Sequence, residues 1–224
     1  GRYEIIALSL RVSGISLVLA ALIGVPLGYF IGSRRFRGRG LAVAVTNTGM
    51  GLPPVVVGLV VYMLISRSGP IADVYATWLN SAMPRLLYTV PAMIMAQVII
   101  STPLITGVTL AAIASVPTEL RLQARSLGAS KWQEAALVVK EARRGVMASI
   151  AAGFGGIISE VGAVNMVGGN IEGKTRVMTT AISLETGQGN FGLALGLGII
   201  LLTIAFVIMN GFTRVQQSGG RYER

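Results

Sequence analysis

Residues 168–175, "GGNIEGKT", fit the phosphate-binding loop pattern G-x-x-x-x-G-K-[ST], with Gly168 first and Gly173, Lys174 and Thr175 closing the match. In such a loop the backbone N–H groups cradle phosphates, the lysine reaches the terminal phosphates and the hydroxyl holds magnesium. That chemistry needs a strand before the loop and a helix after it. The residues before this one, "GVMASIAAGFGGIISEVGAVNMV", form an apolar run of membrane-helix length instead, and no apolar strand downstream ends in an aspartate that would share the magnesium. The match is a coincidence of glycines. The same glycines can present N–H groups to an anion, and nearby cations add positive potential. Gly168, Gly169, Asn170, Lys174 and Arg176 are therefore candidates for an outer vestibule, with a plain connecting loop as the alternative. The chain has no Cys and no His, which removes thiolate metal sites, disulfides and the commonest general base. No catalytic residue and no metal ligand are expected.

What positions these residues follows from composition. Of 224 residues, 53% are hydrophobic and only 12% charged, with mean hydropathy +0.70, whereas a soluble domain carries about 25% charge. Residues 12–33, 40–66, 86–118 and 186–213 contain no Asp, Glu, Lys or Arg, and a run at about 146–167 is interrupted only by Glu160. Each is long enough for the ~20 residues that cross a hydrocarbon core. The fold class expected is an all-α polytopic membrane protein with about five transmembrane helices, roughly 5–32, 41–66, 88–115, 146–166 and 189–213. The outer loop 67–87 reads as a turn at "SRSGP". Gly24/Gly28 and Gly192/Gly196 lie at four-residue spacing, which suits close helix approach, within one chain rather than across a dimer seam. A single domain spanning 1–224 is the simplest organisation.

The net charge of +10 is distributed as topology signals rather than as a nucleic-acid surface. Thirteen cations fall in the connector 34–39, the loop 117–144 and the C-terminal tail, against five at Arg2, Arg67, Arg85, Lys174 and Arg176. The excess of cations on cytoplasmic loops then puts the N-terminus outside and the C-terminus in the cytoplasm of a multi-pass cell-membrane protein. The first span runs on without a cleavage signal and is read as retained.

A break in span two and polar residues in span four suggest a path for a solute. Pro53 and Pro54 must kink or break span two, and freed carbonyls survive at membrane depth only when buried in protein or lining water. Thr46, Asn47 and Thr48 precede that break. Ser159, Glu160 and Asn165 lie in span four. An intramembrane carboxylate is a functional candidate by default. Glu160 would repel an anion, so a gate or structural role is expected, with the carboxyl hydrogen-bonded across a dimer or protonated; a proton relay is the alternative.

The cytoplasmic loop 117–144, "PTELRLQARSLGASKWQEAALVVKEARR", places Leu120, Ala124 and Leu127 on one helical face; Gly128 interrupts, and Ser130 with Gln133 makes a capping box for a second helix. This is a helix, a sharp turn and a helix: a rigid knob for a partner, or a surface helix on lipid headgroups.

At this point "ARSLGASKW" resembles the coupling-loop signature of permease subunits of ATP-binding cassette importers. Aligned on Gly128, the family's Glu-Ala-Ala falls on Leu122, Gln123 and Ala124, of which only the last is kept, and Lys140 and Glu141 replace its later Leu-Pro. "GLPPVVVGLVVY", "ISEVGAVNMVGGNIEGKTRVMTTAI" and "LETGQGNFGLALGLGIILL" are similar to the tungstate-type branch of the oxyanion permeases, over nearly the whole chain. The resemblance implies an importer of two permease copies, two cytoplasmic ATPase subunits that bind ATP and Mg, and an external oxyanion-binding protein, in a prokaryotic inner membrane. It implies no cofactor in this chain. Arg125, Ser126, Leu127, Gly128, Ala129 and Ser130 would form the coupling element. Tungstate, molybdate and sulfate are the implied substrates. An autonomous ion-coupled secondary transporter is the alternative; it would need paired inverted halves and several buried ionisable residues.

Overall fold

The computed structural model describes residues 1–218; Arg221 and Arg224, two of the tail cations, lie outside them. Among the described residues the chain is all helix and loop. The long helices are α1 (Arg2–Ser33), α5 (Val90–Ala114) and α11 (Phe191–Ser218). Between them lie α2 (Arg39–Met50), α3 (Pro54–Ile65), α4 (Pro70–Leu79), α6 (Thr118–Ser126), α7 (Lys131–Glu141), α8 (Arg143–Ser159), α9 (Gly162–Gly168) and α10 (Met178–Gly187). Four stretches are long and apolar enough to cross a membrane, and the bent pair α8–α9 makes a fifth. Many large apolar side chains are exposed, Leu22, Leu202 and Phe206 among them, as expected of helices whose solvent is hydrocarbon.

The expected break at Pro53-Pro54 is present, and sequence and structure differ at three other places. Span two is two helices, because Pro53 and Pro54 interrupt the backbone ladder: α2 ends at Met50 and α3 begins at Pro54, with Pro53 in extended geometry. The loop 67–87 contains α4, which Gly69 and Pro70 open; Pro70 sits in its first turn, where its missing N–H costs nothing. Span four is not continuous but bends by 56° between Ser159 and Gly162. The segment after Gly168 includes α10.

The residues pack into two compact units, to both of which α1, α5, α8 and α11 contribute. One unit comprises 1–18, 52–100 and 155–205. Its core joins Val57, Val61, Met93, Ala96, Ala163 and Val164. The other comprises 19–51, 101–154 and the chain from 206, and its core joins Ile113, Val116, Val138, Ala142 and Val146. In this second unit Gly24, Gly28 and Gly32 of α1 face α5. A Cβ on Gly28 would lie 2.7 Å from the Thr106 carbonyl, and one on Gly32 2.8 Å from that of Leu110. This stripe is intramolecular packing, as expected of Gly24/Gly28, whereas nothing lies within 4 Å of a Cβ on Gly192 or Gly196.

Candidate functional site

In the first unit the expected break at Pro53-Pro54 and the bend at Glu160 come together. Gly155, Gly156 and the back-bond from Ser159 Oγ to the Gly155 carbonyl (2.7 Å) weaken the end of α8. Glu160 then turns its carboxyl onto the start of α9: Oε1 accepts from Ala163 N and Oε2 from Val164 N, each at 2.9 Å. Thr179 Oγ1 donates to the Glu160 carbonyl at 2.9 Å. A capped start satisfies amides that the helix itself leaves orphaned. Glu160 is 7% exposed, and its carboxyl partners are amides of its own chain. Both carboxyl oxygens thus have partners three and four residues on, which the bend after Ser159 brings within reach. α9 packs on α3 at backbone distance. A Cβ on Gly58 would meet Ala163 Cα at 2.7 Å, and one on Gly162 would meet Val55 Cγ2 at 2.7 Å. The Pro53-Pro54 break and the Glu160 break therefore lie beside each other. Ser159 and Asn165 are exposed. Thr46, Asn47 and Thr48 belong to the other unit, where the Thr46 and Thr48 hydroxyls bond back to the Ala42 and Ala44 carbonyls.

The vestibule candidates hold one another. Thr175 is buried; its hydroxyl donates to the Gly168 carbonyl (2.6 Å) and accepts from Ile171 N (2.9 Å). The amides of Lys174, Thr175 and Arg176 all donate to the Ile171 carbonyl. Arg176 donates to Asn170 Oδ1 and the Asn170 carbonyl and pairs with Glu172 at 3.2 Å. Gly168 packs on Met93 and Gly169 on Tyr88. The amides of Gly169, Ile171, Lys174, Thr175 and Arg176 are thus spent within the chain. The segment follows a helix, α9, rather than a strand, and the Thr175 hydroxyl has internal partners. Lys174 and Arg176 do line a cleft of about 620 Å³, with Arg11 and with Glu4, Glu172 and Glu185. Both signs of charge meet there.

In the second unit the loop 117–144 forms the expected corner. α6 ends in a left-handed residue, Gly128 (φ +83), with Gly128 N donating to the Arg125 carbonyl at 2.9 Å and Ala129 N to that of Ala124 at 3.0 Å. Those bonds close the last turn of a helix. One residue on, Ser130 opens α7 with the capping box: its Oγ accepts from Gln133 N, and Gln133 Oε1 accepts from Ser130 N. Two helix ends are thus satisfied within five residues. Arg125 clamps the angle, its Nε and Nη2 donating to Glu134 Oε2 (2.7 Å) and Oε1 (2.9 Å). That bidentate bond holds the Glu134 carboxyl below the usual carboxylate range against the opposing effect of burial. At the tip, Leu127 is 89% exposed and Trp132 87%.

Several of these residues carried no local signal. Glu134 and Arg125 look like surface charges until two helices fold back on each other. Ser9 Oγ accepts from Met178 N across 169 residues of chain. Thr175 and Thr179 lie in a run that reads as a loop.

The chain matches the family described as binding-protein-dependent transport system inner membrane component over residues 24–218. It is 42% identical over 206 residues to a probable anion ABC transporter permease protein of Haloferax volcanii, covering 90% of this chain and 84% of that one. It is 39% identical over 206 residues to the tungstate uptake system permease protein TupB of Peptoclostridium acidaminophilum, covering 92% and 86%. The fold is that of a crystallised bacterial ABC transporter involved in the import of alginate, with a TM-score of 0.80 at 21% identity over 96% of this chain and 79% of that one.

Proposed function

We propose, from the premise that the chain belongs to the family of binding-protein-dependent transport system inner membrane components, that it is the permease subunit of an ABC importer that brings an oxyanion into the cell, with tungstate first and molybdate or sulfate next. The substrate comes from the similarity to an anion permease and a tungstate uptake permease. The observation that carries the mechanism is the α6–α7 corner. It is internally satisfied and clamped, yet leaves Leu127 and Trp132 bare. An apolar pair on a rigid knob suits a cleft in another protein, because its docking costs little ordering entropy. In this reading the corner faces the cytoplasm and docks an ATPase subunit that binds ATP and Mg. A second copy of the chain brings a second corner, and an external binding protein delivers the anion. The N-terminus lies outside.

The chain itself is read as having no nucleotide site and no catalytic residue. ATPase closure would move the corner as a rigid body and turn the spans between outward- and inward-open states. Arg125 through Ser130 carry that contact. Thr46, Asn47, Thr48, Ser159 and Asn165 are proposed polar points on the path. The adjoining starts of α3 and α9, with Pro53, Pro54 and Glu160, are proposed as a gate whose shape Glu160 fixes as a cap. Lys174 and Arg176 are proposed for the outer entrance.

The test is reconstitution of the protein with candidate ATPase and binding-protein partners in lipid discs, with ATP hydrolysis measured under tungstate, molybdate or sulfate. Stimulation by one anion, lost in Gly128→Glu, is expected. Absence of ATPase capture, together with anion movement by the chain alone down an ion gradient, would replace this reading with secondary transport.

A further inference from the structure

The α6–α7 corner has a second attachment, and it runs through one side chain. Arg121, in the first turn of α6, donates from Nη1 to the Ser33 carbonyl at 3.0 Å and from Nη2 to the Ile113 carbonyl at 3.1 Å. Ser33 is the last residue of α1, and Ile113 is in the last turn of α5. Carbonyls at helix C-termini carry the negative end of the helix dipole, which favours a cation there; the Ile113 carbonyl also accepts from Val116 N at 3.2 Å. The planar guanidinium presents its donors as a fixed fork and so holds two carbonyls at a set separation; an ammonium is a single point charge. Beside Arg121, Leu120 packs on the core of Ile113, Val116 and Val138. The two helices so joined already touch at backbone distance through Gly28 and Gly32. What Arg121 holds is therefore one stiff pair, not two independent spans.

We propose that Arg121 is a positioning residue that latches the coupling corner to α1 and α5 together, so that a displacement of the corner is delivered to both helices at once. The proposal rests on the reading of the corner as an ATPase dock, but Arg121 is no part of the exposed tip at Leu127 and Trp132. Its loss should spare docking and spoil transmission.

The experiment compares wild type, Arg121→Ala and Arg121→Lys in the reconstituted complex with its ATPase and binding-protein partners. It reads ATPase capture, ATP hydrolysis, and anion taken up per ATP hydrolysed. Arg121→Ala is expected to capture the ATPase and to transport about tenfold less anion per ATP, the factor that loss of charge-assisted hydrogen bonds commonly costs. Arg121→Lys should fall between. A wild-type yield per ATP in Arg121→Ala, even with a lowered melting temperature, would overturn the latch and leave a merely structural contact. If Arg121→Ala is not recovered from membranes, Arg121→Lys decides: an intermediate yield supports the latch, and a wild-type yield overturns it. Failure of the wild type to capture an ATPase sinks the docking reading instead, and the latch with it.

Discussion

Two corners of this chain are each a helix, a sharp break and a second helix, yet they are finished in opposite ways. At the α8–α9 corner the side chains and backbone groups at the break bond to one another inside the chain. Glu160 caps two amides, its own carbonyl accepts from Thr179, and Ser159 bonds back to α8. At the α6–α7 corner the backbone is equally well satisfied, but the tip leaves Leu127 and Trp132 in the open. The difference follows from surroundings. A buried break must close its hydrogen bonds locally, since an orphaned polar group there costs free energy that no water returns. A break outside the core has no such demand on its side chains, and exposed apolar area is tolerable where a partner covers it.

The largest expected effect is at Glu160. Glu160→Ala leaves two buried amides without acceptors and should destabilise the protein by about 2–5 kcal/mol, whereas Glu160→Gln keeps one acceptor and should cost less. Unfolding in detergent checks this; an unchanged midpoint in Glu160→Ala would mean that capping is not what the carboxyl does. Next is the seam beside it. Gly58→Ala drives a methyl against the Ala163 backbone and should cost about 1–3 kcal/mol. Gly196→Ala, with open space around it, should be close to neutral. Equal losses for both would show that the α3–α9 contact is soft.

At the other corner the effects on stability are smaller. Gly128 meets nothing within 4 Å, so Gly128→Ala acts only through its positive φ, a strain of about 1–2 kcal/mol. Hydrogen exchange should rise at the junction of α6 and α7 and nowhere else. Global loosening would contradict a locally finished corner. Smallest of all is the Arg125–Glu134 clamp. The folded Glu134 carboxyl lies below its ordinary range, so the clamp contributes fully above the unfolded value of about pH 4.3. Its contribution fades as pH falls through the lower folded value. Because Arg125 is largely exposed, solvent screens the pair and the change should be modest. The acid dependence of α6–α7 protection should vanish in Glu134→Gln; its persistence there would assign the effect to another group.

What the sequence by itself determined is whatever depends on short range and on composition. Charge-free runs specify membrane-length helices, Pro53-Pro54 ends one, and "SLGASKWQ" contains both the glycine that closes α6 and the Ser130–Gln133 box that opens α7. These are contacts within four or five residues, and residue type alone dictates them. Only the tertiary structure decided the rest. The bend at Glu160, the pairing of α9 with α3, the inward turn of the 174–176 amides and the fork of Arg121 onto carbonyls 88 and 8 residues away each join groups remote in the chain or choose among equivalent polar partners. A carboxyl in an apolar run is compatible with a gate, a relay or a cap. Which one it serves is set by the nearest unsatisfied donors, and their positions exist only once the helices have packed.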